Sequence, residues 1–545
     1  MVKSGKGGPI DCAVRDAIAG SAIPPAARAA PQWVETMRRR VEAEEQQRTA
    51  QQGLGKPISS AEVAGHRVVA IGNTVHFSKG WRTFPDFLSY MVGRFFGGEW
   101  GNAELRKSEE EMHPIALWYR RNALLQAKHA GKPGEVFSTP ETGAARAFLE
   151  LGYNLYLLEH NAELQQRLIN RLKQRDQFLG VLSELRVAGF FVRAGFSVKF
   201  HDETDRTTSH CEYDGRRIET GKTFSVEVKT RHWTAFPKND AEGRRAIRGA
   251  VADLLFRALK KHADAERIVF VELAMPDEDS TQSEGPWWRD AAMDAIRAAA
   301  ERIRAQGREP PSATVVVSNF PYHYHLESTR AVVSLAVDGI GPTDFRAGLH
   351  GTVREALHFR ERHVDFLALW NSIEAHRNIP ATFDGSSGHL LSVDGQAPRL
   401  LVGERYEVPD ADGATVLATL VDAIAVPTER RMYGIYQKAS GEQIICHVPM
   451  TDAEAKAYAE QPDTFFGVVK KQGSLKGPLE LYDFFWESYR NTPKGRLLEF
   501  MAPRPDLPAL SALPQQELAE IYCEGLVHGV LAQQAARTGG NSTRT

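Results

Sequence analysis

Apolar residues recur at two periods along this chain, and each change of period marks a change of element. Residues 31–52, "PQWVETMRRRVEAEEQQRTAQQ", predict one helix behind a start rich in Ala, Gln, Arg and Pro. "HRVVAIGNTVHFS" has a strand-like period, and helical periods follow at about 84–97, 104–129 and 142–190, with a break at "KHAGKPGEVFSTPETG". From about 174 to 320 helices and strands alternate, the signature of an α/β unit. Residues 343–378 return to a helical period. Beyond about 398, "RLLVGERYEVP", "TVLATLVDAIAVP", "RMYGIYQKA" and "EQIICHVPM" predict four short strands. "TDAE" then opens a helix with a capping box, Thr451 and Glu454, and two more helices are expected near 478–490 and 515–536.

These changes divide the chain into a flexible segment (1–62), a mainly helical N-terminal domain (63–173) and a central α/β domain (174–340). A helical connector (341–395), an α+β C-terminal domain (396–536) and a disordered tail (537–545) follow. The length of 545 residues supports this, since it exceeds what one core serves. With 42% hydrophobic and 25% charged residues the chain reads as an ordinary globular protein. A net charge of −2 gives no global attraction to nucleic acid, so any such surface must be local. Cys12, Cys211, Cys446 and Cys523 lie far apart, which argues against a zinc site or disulfide framework and fits a reducing cytoplasm. No run approaches a membrane span, and the start "MVKSGKGGPIDCAVRDA" has no signal-peptide core; a cytoplasmic protein with no membrane partner is expected.

The candidate chemistry lies in "FSVEVKTR", residues 224–231. On a strand, residues i and i+2 share a face with Cα atoms about 6.6 Å apart, so Glu227 and Lys229 point one way while Val226 and Val228 point into the core. Isolated charges there cost several kcal/mol unless compensated, by an ion pair or by a metal and a phosphate. Glu212, in "HCEYDG" on the preceding strand, can face Glu227 across the sheet. Two carboxylates with water and phosphate oxygens suit Mg²⁺ or Mn²⁺. Lys229 can orient an attacking water and stabilise the transition state. On its own, Glu–Lys at i, i+2 more often marks a solvated face.

The order helix, three strands, helix, strand, with acids and a lysine at these places, resembles the PD-(D/E)xK nuclease superfamily, the restriction-endonuclease-like fold. The resemblance covers roughly residues 174–320. It implies a mixed sheet flanked by helices, with Glu227 and Lys229 as the (D/E)xK pair, Glu212 as the first acid and Glu184 as the extra acid on the first helix. Catalysis would rest on Glu212, Glu227 and Lys229, with Glu212, Glu227 and Glu184 around Mg²⁺ or Mn²⁺. Two departures from the pattern stand out: the first acid is Glu where the family normally has Asp, and no Pro precedes it, which leaves Glu212 or Asp214 as its counterpart.

The substrate class implied is DNA, in restriction, repair or antiviral defence against foreign DNA. Between Arg231 and Lys261 eight basic residues stand against three acidic ones. Arg231, His232, Trp233, Arg244 and Arg248 are candidate DNA contacts through phosphates and stacking, against a plain solvated helix face. The flanking regions could bind a specific nucleic-acid structure, mediate homo-oligomerisation or hold the nuclease in check. Two competing classes remain: a nuclease-like scaffold that binds nucleic acid without catalysis, and a hydrolase using paired carboxylates without metal. His323 and His325 in "YHYHLE" have ligand spacing but no third ligand nearby, and a strand end with surface histidines is expected.

Overall fold

The computed structural model describes residues 32–132, 135–201, 210–276, 285–341, 345, 352–391, 400–410, 413–470 and 477–540. The chain is a mixed α/β protein, with three sheets among the described residues. Helix α1 (Gln32–Gln52) leads to a small antiparallel sheet, β1 (Ser59–Val63), β2 (His66–Ile71) and β3 (Thr74–Ser78). Helices α2 (Phe84–Phe96), α3 (Gly98–Leu105), α4 (Pro114–His129), α5 (Gly143–Asn161), α6 (Gln166–Leu172) and α7 (Phe178–Arg193) follow.

The central sheet has six strands in sequence order: β4 (Phe196–Phe200), β5 (Tyr213–Arg217), β6 (Thr223–Thr230), β7 (Glu266–Glu272), β8 (Ala313–Asn319) and β9 (Ser334–Ile340). β4, β5 and β6 are antiparallel, β7 and β8 continue parallel to β6, and β9 closes antiparallel to β8. The parallel steps need crossovers, which α8 (Ala241–Leu259) and α9 (Arg289–Arg304) supply. Alternation sorts the two faces. Phe224, Val226, Val228, Ile268 and Phe270 join the core that contains α5 and α7, while Val269, Val271, Val315 and Val317 pack under α8 and α9. Gly215 lets α7 lie close: any Cβ there would collide with the ring of Phe191.

Helices α10 (Val353–Arg362) and α11 (Val364–Ala375) precede an antiparallel meander of β10 (Arg405–Pro409), β11 (Thr415–Val426), β12 (Arg431–Gln437) and β13 (Gln443–Pro449). The capping box opens α12 (Asp452–Glu460), with the Thr451 side chain accepting from the Glu454 N–H and Glu454 accepting in return. The chain ends in α13 (Pro478–Tyr489), α14 (Lys494–Phe500), α15 (Leu507–Leu510) and α16 (Gln515–Gly540). Among the described residues no helix is long and apolar enough to cross a membrane.

Several elements differ from the expectation. The helix expected over 104–129 is two: α3 ends at Leu105, and α4 starts at Pro114, which holds His113 in extended backbone (φ −61°, ψ 139°) where its side chain caps α4. The one expected over 142–190 is three helices; α5 ends where Ala162 turns extended (φ −137°, ψ −172°). The helical stretch over 343–378 is interrupted at His363. β1 and β9 were not expected, and α16 continues to Gly540, into the segment expected to be a disordered tail. Residues 32–63 hold α1 and β1, so the ordered chain begins well before residue 63. One apolar core runs from Val69 to Phe383, so the helical region before 173 and the central sheet share it. Residues 204–209, "TDRTTS", which the sequence predicts as a polar loop before "HCEYDG", lie outside the described residues.

Candidate active site

β6 positions Glu227 and Lys229. Glu227 aligns with Val269 and Lys229 with Val271, so both point to the α8 side of the sheet. Glu227 has no exposed surface, whereas the Lys229 side chain is about a quarter exposed. On β5, Tyr213 pairs with Val226 and Asp214 with Ser225; Glu212 stands one residue before β5 and meets Glu227 at the two lysines they share. The Glu212 N–H donates to the Val226 carbonyl (3.0 Å), and the His201 N–H donates to the Glu212 carbonyl (3.1 Å). This answers which acid faces Glu227. Asp214 is engaged elsewhere, accepting from Ser225 Oγ at 3.1 Å and lying 3.2 Å from His201 Nε2.

A fourth charged group completes the cluster. Lys261, just beyond the end of α8, places Nζ 3.0 Å from Glu212 Oε1 and 2.9 Å from Glu227 Oε1. Lys229 Nζ forms an ion pair with Glu227 Oε1 and lies 3.7 Å from Glu212 Oε1. Two carboxylates thus share two ammonium groups. The backbone around Lys261 is held in place: Arg267 donates to its carbonyl (2.7 Å), Ala265 N–H donates to Ser225 Oγ (3.2 Å), and Cys211 Sγ donates to the His262 carbonyl (3.4 Å). In the sequence Lys261 registers only as one of eight basic residues. Nothing in local periodicity says that a residue past a helix end turns back over the strand 34 positions earlier.

Burial, and then the nearby Glu212 carboxylate, hold the Glu227 pKa above the usual carboxylate range, although both lysines pull the other way. Burial disfavours the Lys261 charge, yet Glu227 and Glu212 together push its pKa up. Oε2 of Glu227 is buried and has no hydrogen-bond partner among the described residues. A buried carboxylate oxygen left without a donor is unfavourable for stability. It is the feature expected of a group kept for a ligand.

Glu184 is not brought to this cluster. It lies on α7, in the layer on the other face of the sheet, and both of its oxygens are held by Arg171 of α6 (2.9 and 3.1 Å). Among the described residues no three His, Cys, Asp or Glu side chains gather as a ligand set. Of the three acids expected around a metal, the structure brings Glu212 and Glu227 together and leaves Glu184 with Arg171. Two hard oxygen donors still fit a divalent cation of the Mg²⁺ or Mn²⁺ type, which keeps water and phosphate oxygens in its remaining positions.

The basic candidates separate along α8. Arg244 and Arg248 are exposed near its start, roughly 20–25 Å along the axis from Lys261 at 1.5 Å per residue. His232 is exposed. Trp233 is committed to packing: it lies half-buried against the α8–α9 core, its Nε1–H donates to the Leu273 carbonyl (2.6 Å), and the Arg231 guanidinium sits 4.8 Å over its ring. Stacking on a base would require that ring to leave its site. His323 and His325 are not a strand end on the surface. They lie half-buried in a 3₁₀ turn (Pro321–Tyr324) and just after it, and burial, followed by the charge of Arg186, pushes the His323 pKa down to about 3.

No family model, curated protein or solved structure matches the chain.

Proposed function

We propose that the protein is a divalent-metal-dependent phosphodiesterase acting on DNA, with a central domain of the restriction-endonuclease-like type. The observation that carries this reading is the meeting of Glu212 and Glu227 at two shared ammonium groups, with one buried Glu227 oxygen unpartnered. The order α7, β4, β5, β6, α8, β7 agrees with the helix, three strands, helix, strand of the resemblance. Glu212 and Glu227 would hold Mg²⁺ or Mn²⁺. That cation would neutralise charge on a phosphate and lower the pKa of a water. Lys229, anchored by its strand beside Glu227, presents donors to charge that develops on the phosphate oxygens and orients the attacking water. Lys261 offers a second ammonium from the α8 side. The exposed arginines of α8 supply the sequence-independent attraction to flanking phosphates.

One observation favours a second reading. The lysines already balance both glutamates, and among the described residues no third acidic side chain joins them, as expected of a nucleic-acid-binding scaffold that has lost catalysis. Mn²⁺ binding separates the two. A catalytic site binds Mn²⁺ with a saturable calorimetric signal that Glu227→Gln abolishes. Absence of that signal in the wild-type chain rejects the metal-dependent enzyme.

A further inference from the structure

A second charged cluster lies where α5 and α7 meet the turn after β8. Arg146, Arg186 and Arg193 are each more than nine-tenths buried. Arg186 is matched by Glu150, with Nε 2.9 Å from Oε1 and Nη2 3.3 Å from Oε2. Arg193 has no carboxylate partner among the described residues. Its guanidinium donates only to the backbone carbonyls of Gly189 and His376 and rests against the rings of Phe190 and Tyr153. Burial, with Arg146 and Arg186 nearby, pushes its pKa down. Arg146 reaches Glu141 at 3.1 Å and the Arg377 carbonyl, and its Nε is buried without a partner.

Arg186, on which the charge of the buried Glu272 acts besides that of Glu150, lines neither of the two adjoining cavities that Arg146 and Arg193 line. The outer one, about 200 Å³, is bordered by Arg146, Arg377, Tyr322, Thr142 and Ser328, with Glu141 at its edge. The inner one, about 30 Å³, shares Arg146, Tyr322 and Arg377 and reaches Arg193. The carboxylates of Glu141 and Glu150 line these cavities together with the guanidinium groups of Arg146, Arg193 and Arg377. The first N–H groups of α5 are already used, by Ser328, Leu326 and Thr142, so side chains rather than a helix end define the cleft.

We propose that this cleft binds inorganic phosphate or a small phosphomonoester. Planar guanidinium groups make paired hydrogen bonds to a phosphate, and hydroxyls can meet its remaining oxygens. A dianion would offset the positive excess of the lining residues, in which Arg146, Arg193 and Arg377 stand against Glu141 and Glu150. The volume is below that of drug-sized sites, which sets the ligand at this small scale.

The test is isothermal titration of the full chain with inorganic phosphate and, separately, glycerol phosphate, at constant ionic strength in chloride. Saturable binding of at least one is expected. Arg377→Gln, at a half-exposed position where folding is not at stake, and Arg146→Lys, which keeps the charge but loses the fork, should each weaken it about tenfold or more. Saturation by glycerol phosphate alone would assign the cleft to the ester, and by phosphate alone to the free ion. No saturable binding of either, or unchanged affinity in both variants, would overturn the proposal. So would a short DNA duplex that displaces phosphate, since the cleft would then belong to a nucleic-acid surface. None of these readings depends on the Glu212–Glu227 site.

Discussion

Replacing Glu227 by Gln should abolish activity while leaving the fold as stable as before or more so. The side chain keeps its shape in a site with no exposed surface, and only the charge is removed. Neither lysine is stranded, because Glu212 still lies 3.0 Å from Lys261 and 3.7 Å from Lys229. Burial and Glu212 raise the Glu227 pKa, so ionised Glu227 is a net cost to folding, at about 1.4 kcal/mol per pK unit. The sign follows. Its contribution to stability is full below the ordinary value of 4.5 and is lost as pH rises through the raised folded value. The Gln variant should therefore match wild type near pH 4.5 and exceed it near neutrality, by about 0.5–2 kcal/mol, the usual scale of a stabilising substitution. At about 2–4 °C per kcal/mol for a domain of 150–250 residues, differential scanning calorimetry at about pH 5 and about pH 7.5 resolves this. A structural ion pair behaves otherwise, losing about 3–5 kcal/mol when one partner goes. A Glu227→Gln chain that melts lower than wild type by that amount at neutral pH would refute the assignment of Glu227 as a ligand-binding group.

Lys229→Ala should leave melting unchanged and reduce cleavage about 10²–10³-fold, because its ammonium acts mainly on charge present in the transition state; normal cleavage by a folded variant would remove Lys229 from the site. Lys261→Met, tested in the same cleavage assay, should also lower the rate, and an unchanged rate would make Lys261 a structural counter-ion only. Arg244→Glu combined with Arg248→Glu should weaken DNA binding and flatten its dependence on salt, measured by fluorescence anisotropy at several salt concentrations. Affinity that does not change at low or moderate salt would make this end of α8 a solvated surface. Glu184→Gln should lower the melting temperature through its pair with Arg171 while leaving Mn²⁺ affinity intact, which calorimetry can check.

Much of the central domain could be read from period alone. β6, β7 and β8 are apolar runs with sharp ends, and α7 carries Phe178, Val181, Leu182 and Leu185 along one stripe, so their type and order emerge from spacing. The facing of Glu212 and Glu227 follows from strand alternation and a short turn between β5 and β6. Lys261 and the Arg171–Glu184 pair did not emerge, because each depends on how separate elements pack and no local pattern encodes that. β9 was hidden for a related reason: "SLAVDGI" is short and only half alternating, and it becomes a strand by pairing with the buried edge of β8. Trp233 looked available beside a basic run, but the sequence cannot show that its indole N–H is taken by the Leu273 carbonyl on the neighbouring strand's exit.

The most direct measurement is incubation of the purified chain with circular and linear DNA in Mg²⁺, in Mn²⁺ and in EDTA, beside the Glu227→Gln variant. The account predicts cleavage of at least one DNA form with either cation, none in EDTA and none by the variant. Cleavage that persists in EDTA, or that the Glu227→Gln chain performs at the wild-type rate, would contradict it.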